Sequence, residues 1–339
     1  MIALSSAPMN VVVTLAFPER VLAAIATVDP RIVVHHHPCD AGVTVPAELL
    51  KCAEVLYTSD FLPGPEHAPG LRWVQLDTSG IDHVRDTALW LGDATITTLG
   101  GISPAPLAEW VMMMVLAHAH HLRTTERLQD EHRWPTRAER WSQLMPRDLR
   151  SATLGIVGYG RIGHALAVRA RAFGMTVVAT RRDPRVRHAD RHGLLPEIPE
   201  VRELPSSALH ELLGLSDYIA LTVPLTVETR GMLDAKALKL LRRGAVIINA
   251  SRGGVVDEAA LLAALDEGRI DLVASDVFDE EPLSADSPWW SHPRSVVTPH
   301  VAGFAPDYED AVTALFAENL RRYIHGEALL NVADRQRGY

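Results

Sequence analysis

Three side chains of complementary chemistry stand just beyond three apolar runs in the last third of the chain. Arg252 follows AVIINAS, Glu281 follows LVASDVFDE, and His300 follows VVTP. The planar fork of an arginine grips a carboxylate or polarises a carbonyl oxygen. A histidine, with an unperturbed pKa of about 6.5, gives or takes a proton near neutral pH. A carboxylate beside the imidazole favours its charged form and fixes its orientation. Taken singly, each has a plainer explanation: Arg252 as a solvated loop residue, Glu281 as a turn acid before Pro282, His300 as a histidine bonded to backbone. Their joint occurrence at successive strand ends points to one site, because open parallel sheets bind ligands beyond the carboxyl ends of their strands. The chemistry is proton transfer at a carbonyl or hydroxyl group that the arginine orients.

The element that must position them runs from Ala152 to Gly163, ATLGIVGYGRIG. Leu154, Ile156 and Val157 predict a buried strand, Gly158, Gly160 and Gly163 form G-x-G-x-x-G, and HALAVRARAFG continues with helical spacing. Gly158 permits the strand-to-helix turn, Gly160 lets a pyrophosphate approach the backbone, and Gly163 lets helix and strand pack closely. The helix N-terminus adds unpaired N–H groups and a positive dipole end. A second strand, Met175 to Thr180, follows in order, which makes the pattern a dinucleotide fold rather than a chance glycine turn.

The 339 residues suffice for two domains with sizeable cores. A composition 47% hydrophobic and 22% charged is that of an ordinary globular protein. The net charge of −9, without a basic block, argues against nucleic acid. No secretory signal is evident at the N-terminus, and the apolar run Leu107 to Ala117 is too short for a bilayer and contains Glu109, so a cytoplasmic protein without membrane contact is expected. Cys39 and Cys52 are too few for a disulfide framework, and no metal site is expected. The histidines 35–37 and 118, 120 and 121 lack further ligands at plausible spacing.

In chain order, apolar runs at Asn10–Ala16, Arg31–His36, Val55–Thr58 and Trp73–Leu76 predict strands. Helices are expected at Arg20–Thr27 and Pro46–Cys52, giving a small α/β domain over about the first hundred residues. It ends in QLDTSGIDHV, where Ser79 and Gly80 follow a strand and offer backbone N–H groups to an anion. Pro104–Leu122 reads as one long helix, followed by a charged, Trp-containing arm to Asp148. Met112 to Met114 on that helix are read as core or dimer packing. Later elements are strands at Tyr218–Val223, Ala245–Asn249, Leu272–Asp276 and Ser295–Thr298, with helices at Asp234–Leu241 and Asp257–Glu267. A last helix, Pro306–Ile324, is expected to return to the first domain. The expected division is therefore 1–103 with 305–339, and 104–304.

The segments TLGIVGYGRIG, VPLTVETRGMLD, GAVIINASRGGVVDEAALLAAL, DVFDEEPL and TPHVAGF resemble the D-isomer-specific 2-hydroxyacid dehydrogenases, over about Val55 to Asn331. The resemblance implies an α/β architecture of two parallel-sheet domains, one flavodoxin-like and one dinucleotide-binding, with a cleft between them. It places the catalytic arginine, glutamate and histidine on Arg252, Glu281 and His300. Substrate carboxylate recognition falls on Ser79 and Gly80, with Arg252 and His300 also meeting the substrate. Cofactor contacts fall on Gly158, Tyr159, Gly160, Arg161, Ile162, Gly163, Val223, Pro224, Thr229, Ala250, Asp276 and Gly303. A homodimer through residues 105–148 is implied as well.

One position departs from the pattern. Where NAD-binding members carry an Asp that accepts from the adenosine ribose, this chain has Arg181, followed by Arg182. Two arginines would hold a 2′-phosphate that a carboxylate would repel, so NADP is expected, with NAD possible. The alternative is that Arg181 stacks on adenine and Asp183 takes the ribose. The implied reaction is reduction of a small 2-keto acid to a D-2-hydroxy acid, as by a glyoxylate or hydroxypyruvate reductase. Phosphite and phosphoglycerate dehydrogenases share the architecture. Glu281 argues against formate dehydrogenase, which has Gln there, and the short C-terminus against an appended regulatory domain. A dinucleotide-sensing corepressor is the rival outside enzymes. Pocket shape is expected to depend on loops near Ser59, Ile81 and Trp289.

Overall fold

Parallel strands covered on both faces need apolar side chains at nearly every position, and the strands here meet that demand. The structure, a computed structural model, describes residues 7–39, 44–183, 189–190, 193–194, 197–198 and 200–339. The chain divides into two units, Met1–Ile102 with Ala305–Tyr339, and Ser103–Phe304.

The first unit holds β1 (Met9–Val13), β2 (Ile32–His36), β3 (Val55–Thr58), β4 (Trp73–Leu76) and β5 (Thr95–Thr97). They form a parallel sheet of order β2-β1-β3-β4-β5, the flavodoxin-like arrangement. Alternate residues serve opposite faces. Val12, Leu56 and Val74 pack with Leu50, Leu89 and Ile96, whereas Val11, Val13, Val55, Tyr57 and Trp73 pack against Phe316 and Leu320. The last two lie on the helix Tyr308–His325, which thereby completes this sheet. The expected strand over Asn10–Ala16 stops at Val13, because Thr14 turns its hydroxyl onto Thr58 (2.8 Å).

The second unit contains β6 (Thr153–Val157), β7 (Thr176–Arg181), the short antiparallel pair β8 (Ala189–Asp190) and β9 (Gly193–Leu194), then β10 (Val201–Pro205). β11 (Tyr218–Leu221), β12 (Ala245–Asn249), β13 (Ile270–Ser275) and β14 (Ser295–Val297) follow. The main sheet is parallel with order β10-β7-β6-β11-β12-β13-β14, the dinucleotide-binding order, and its direction of winding reverses between β6 and β11. One face packs on the helices Pro104–Ala119 and Arg161–Ala172, through Val111, Val115, Leu166 and Ala170. The other packs on Leu212, Leu213, Leu261 and Leu265.

Two stretches differ from the sequence expectation. The long helix ends at Ala119, and His121 turns the chain with φ 54° into a separate helix, Leu122–Asp130. Its ring Nε2 donates to Met145 O (2.8 Å), a partner far along the chain. The strand β10 and the helix Leu209–Leu215 belong to no expected element. No helix among the described residues is long and apolar enough to cross a membrane.

Candidate active site

The carboxyl ends of β12, β13 and β14 lead directly into the segments that carry Arg252, Glu281 and His300. Beyond β12, Asn249 is buried and organises the turn. Its Oδ1 accepts from the amide (3.1 Å) and hydroxyl (2.7 Å) of Ser251, and its Nδ2 donates to Arg252 O (3.1 Å). The guanidinium of Arg252 donates to Ser251 O (2.8 Å), on a backbone that is extended at φ −145°. The next residue must be glycine for reasons of space. A Cβ on Gly253 would fall 2.0 Å from the carbonyl carbon of Phe278. That contact sets the Arg252 turn against the segment delivering Glu281.

Glu281 is fixed at both oxygens. Oε1 accepts from the Phe278 amide (2.9 Å), and Oε2 meets His300 Nδ1 at 2.7 Å. An ionised carboxylate only accepts, so Nδ1 carries the hydrogen and Nε2 is left to exchange a proton. Both side chains are partly open, His300 at 48% and Glu281 at 37% of full exposure. His300 adopts φ 54°, an uncommon conformation for a residue with a Cβ and one that clusters at functional sites. It is held there by Asp276, whose carbonyl accepts the His300 amide (2.9 Å). The buried Asp276 carboxylate accepts from Thr298 Oγ1 (2.5 Å) and from the amides of Val301 (3.0 Å) and Ala302 (2.9 Å). Asp276, expected as a cofactor contact, also ties down the histidine loop.

Glu258 braces the same region. Its oxygens accept from the Asp279 amide (2.7 Å) and Trp289 Nε1 (3.3 Å), and burial pushes its carboxyl above the ordinary range. Trp289, near a loop expected to bear on pocket shape, is 3% exposed and packed against Phe278, and its neighbour Trp290 is half exposed.

At the same carboxyl edge of the sheet, two strands from β12, the glycine turn leaves β6. Gly158 has φ +103°, and a Cβ there would strike Val223 Cγ1 at 2.7 Å, so Val223 packs directly on the turn. A Cβ on Gly163 would lie 2.5 Å from Gly158 O, whereas Gly160 has nothing within 4 Å of its Cβ direction. The turn is therefore closed where helix meets strand and open above Gly160. Arg161 and Ile162 begin the helix behind it. The turn is tied to β7 by the amides of Gly158 and Tyr159, both donating to Thr180 O. Thr229 steadies Pro224 by donating its hydroxyl to Pro224 O (2.6 Å) and accepting from the Thr226 amide (2.8 Å). Ala250 is buried beside β12, and a Cβ on Gly303 would touch Ser103.

A model of the D-isomer specific 2-hydroxyacid dehydrogenase NAD binding domain matches residues 112–302. The chain belongs to the D-isomer specific 2-hydroxyacid dehydrogenase family. It is 33% identical to a glyoxylate reductase from Korarchaeum cryptofilum, over 80% of this chain and 78% of that one. Among solved structures it is similar to a D-isomer specific 2-hydroxyacid dehydrogenase from Xanthobacter autotrophicus in complex with NADPH (TM-score 0.81, 31% identity, 98% and 100% of the two chains). An NADPH-dependent glyoxylate/hydroxypyruvate reductase from Sinorhizobium meliloti, in complex with NADP, is equally similar (TM-score 0.81, 30% identity, 98% and 100%). As a 2-hydroxyacid dehydrogenase the chain is an oxidoreductase that uses a nicotinamide dinucleotide. The open backbone above Gly160, at the N-terminus of a twelve-residue helix, fits the pyrophosphate of such a group.

The remaining expected residues lie elsewhere. Arg181 ends β7, and its guanidinium is paired with Glu203 Oε2 on β10 at 2.8 Å. Arg182 follows it and is exposed. Ser79 and Gly80 follow β4 in the first unit, with Ser79 exposed and the Thr78 hydroxyl donating to Gly80 O (2.7 Å). Among the described residues no group of three or more His, Cys, Asp or Glu side chains could hold a metal. His118 meets Tyr218 and Asp271 (3.1 Å each), a purely structural use. Glu203, Asn249 and Glu258 were not singled out from sequence. Only the last carried a signal, an acid at the start of a helix.

Proposed function

We propose that the protein reduces a small 2-keto acid to the D-2-hydroxy acid with NADPH in preference to NADH. The observation that carries the catalytic part is the 2.7 Å contact between Glu281 and His300 Nδ1, which leaves Nε2 to donate the proton. When bound, the nicotinamide supplies the hydride. His300 gives its proton to the substrate oxygen, Glu281 keeps the imidazole charged until then, and Arg252 polarises the carbonyl. In the first unit, Met1–Ile102 with Ala305–Tyr339, the turn at Ser79 and Gly80 is the candidate for the substrate carboxylate. Residues 104–304 hold the cofactor, through Gly158 to Gly163, Val223, Pro224, Thr229, Ala250 and Gly303.

The NADPH preference rests on Arg181 and Arg182 at the end of β7, where a carboxylate would repel a 2′-phosphate. NADPH and NADP accompany two similar solved structures. The test is kcat/KM for glyoxylate, hydroxypyruvate and pyruvate with each cofactor. NADPH should lead by about one to two decades, since Arg181 is already paired with Glu203 and Arg182 is exposed. Arg181→Asp with Arg182→Ala should reverse that order. Better use of NADH by the wild type at low salt would refute the preference.

We also propose a homodimer. Met113, Leu122 and Phe173 lie about half exposed around a shallow concavity that Met112 and Leu116 also line. Such an apolar patch suits contact with a second copy, a point light scattering decides.

A further inference from the structure

One charged group beside Arg181 that the reading above does not use is Glu203. It lies on β10, which pairs in parallel with β7, so that Glu203 stands opposite Ala179 and Pro205 opposite Arg181. Its carboxylate crosses to Arg181 Nη1 (2.8 Å), and the Arg181 side chain is only 8% exposed. The guanidinium also lies over the ring of Tyr159, 5.8 Å from its centroid, and Tyr159 belongs to the glycine turn. Arg181 is thus held between a carboxylate and an aromatic face, rather than extended into solvent.

We infer that Glu203 is a selectivity residue that restrains the preference for a 2′-phosphorylated cofactor by engaging the guanidinium of Arg181. The inference rests on the reading that Arg181 and Arg182 meet the adenosine ribose. A phosphate monoester carries about −1.5 to −2 charge at neutral pH. Any such group meeting Arg181 also meets the negative charge of Glu203, in a setting where burial weakens screening. A ribose hydroxyl has no charge to repel. Glu203 therefore weakens binding of NADPH and leaves NADH nearly unaffected. It also replaces in space some of the negative charge that the sequence lacks at position 181.

The test is binding rather than turnover: titration of the purified enzyme with NADPH and with NADH, followed by nicotinamide fluorescence without substrate. Glu203→Gln keeps an oxygen for Arg181 but loses the charge. It should tighten NADPH about five- to tenfold and change NADH by less than about twofold. Glu203→Thr, suited to a strand, removes the charge by another route and should act in the same direction. Tighter NADPH with unchanged NADH in both variants carries the inference. Unchanged NADPH binding in both, while Arg181→Asp with Arg182→Ala abolishes a wild-type NADPH preference, overturns the role of Glu203 and leaves the cofactor reading standing. Looser NADPH overturns it as well, since Glu203 would then be orienting Arg181 for the phosphate. A wild type that favours NADH, indifferent to the double arginine change, removes the cofactor reading and this inference together.

Discussion

Two carboxylate–cation pairs sit on the same parallel sheet, and they differ in what surrounds them. His300 and Glu281, beyond β13 and β14, meet at 2.7 Å with both side chains more than a third exposed. Arg181 and Glu203, at the far edge on β7 and β10, meet at 2.8 Å with the arginine almost fully buried. The first pair joins an imidazole to a carboxylate that fixes its Nδ1 hydrogen, and on the proposed reading the contact serves proton transfer from Nε2. The second joins two groups that stay charged, so the contact governs how much cation is left for a ligand. A third carboxylate, Asp77 beyond β4, receives the Tyr57 hydroxyl (3.0 Å) and has no ion pair among the described residues. Burial pushes it up to about 6. The nature of the partner, more than distance, decides what a carboxylate does in this protein.

The comparison breaks most severely if His300 is removed. His300→Ala should lower kcat for 2-ketoacid reduction by about 10²–10⁴-fold while NADPH binding, by fluorescence titration, is kept. Near-normal turnover would show that the exposed pair is not the proton source. Arg252→Lys retains the charge and loses the fork, and should lower kcat/KM by about 10–10²-fold. A wild-type value would mean that the planar group is not needed.

The Asp77 case sharpens the comparison through stability. Its folded pKa lies above the usual unfolded value of about 3.9. The folded state therefore holds the proton more tightly, and stability falls as pH rises from about 4 through 6. Above that range the ionised group is a burial cost of about 1–3 kcal/mol. Asp77→Asn should melt higher than wild type at pH 8, with the gap closing near pH 4. A gap independent of pH would show that Asp77 does not titrate in this way.

Much of this arrangement is written locally. The glycines at 158, 160 and 163 mark the turn because each answers to backbone geometry within a few residues. Arg252, Glu281 and His300 are legible because each follows an apolar run that can only be a buried strand. What governs them is not local. Asp276 and Glu258 act through partners 21–31 residues away, and neither those partners nor the local role of Asn249 can be read from the residue type alone. Glu203 was hidden for the same reason: the pairing of β10 with β7 brings it to Arg181 across a stretch without helical or strand periodicity. The break at His121 needed the bond to Met145, and the burial of Trp289 rather than Trp290 needed Glu258. Periodicity sees a face, not the neighbour that covers it.

The central claim, that Glu281 keeps His300 charged as the proton donor, is tested most directly by the pH dependence of reduction in wild type and Glu281→Gln. Reduction needs the charged imidazole, and a neutral amide removes the charge that favours it. The alkaline decline in kcat/KM should therefore begin at lower pH in the variant, with the acidic side little changed. Profiles that superimpose after scaling would contradict the account.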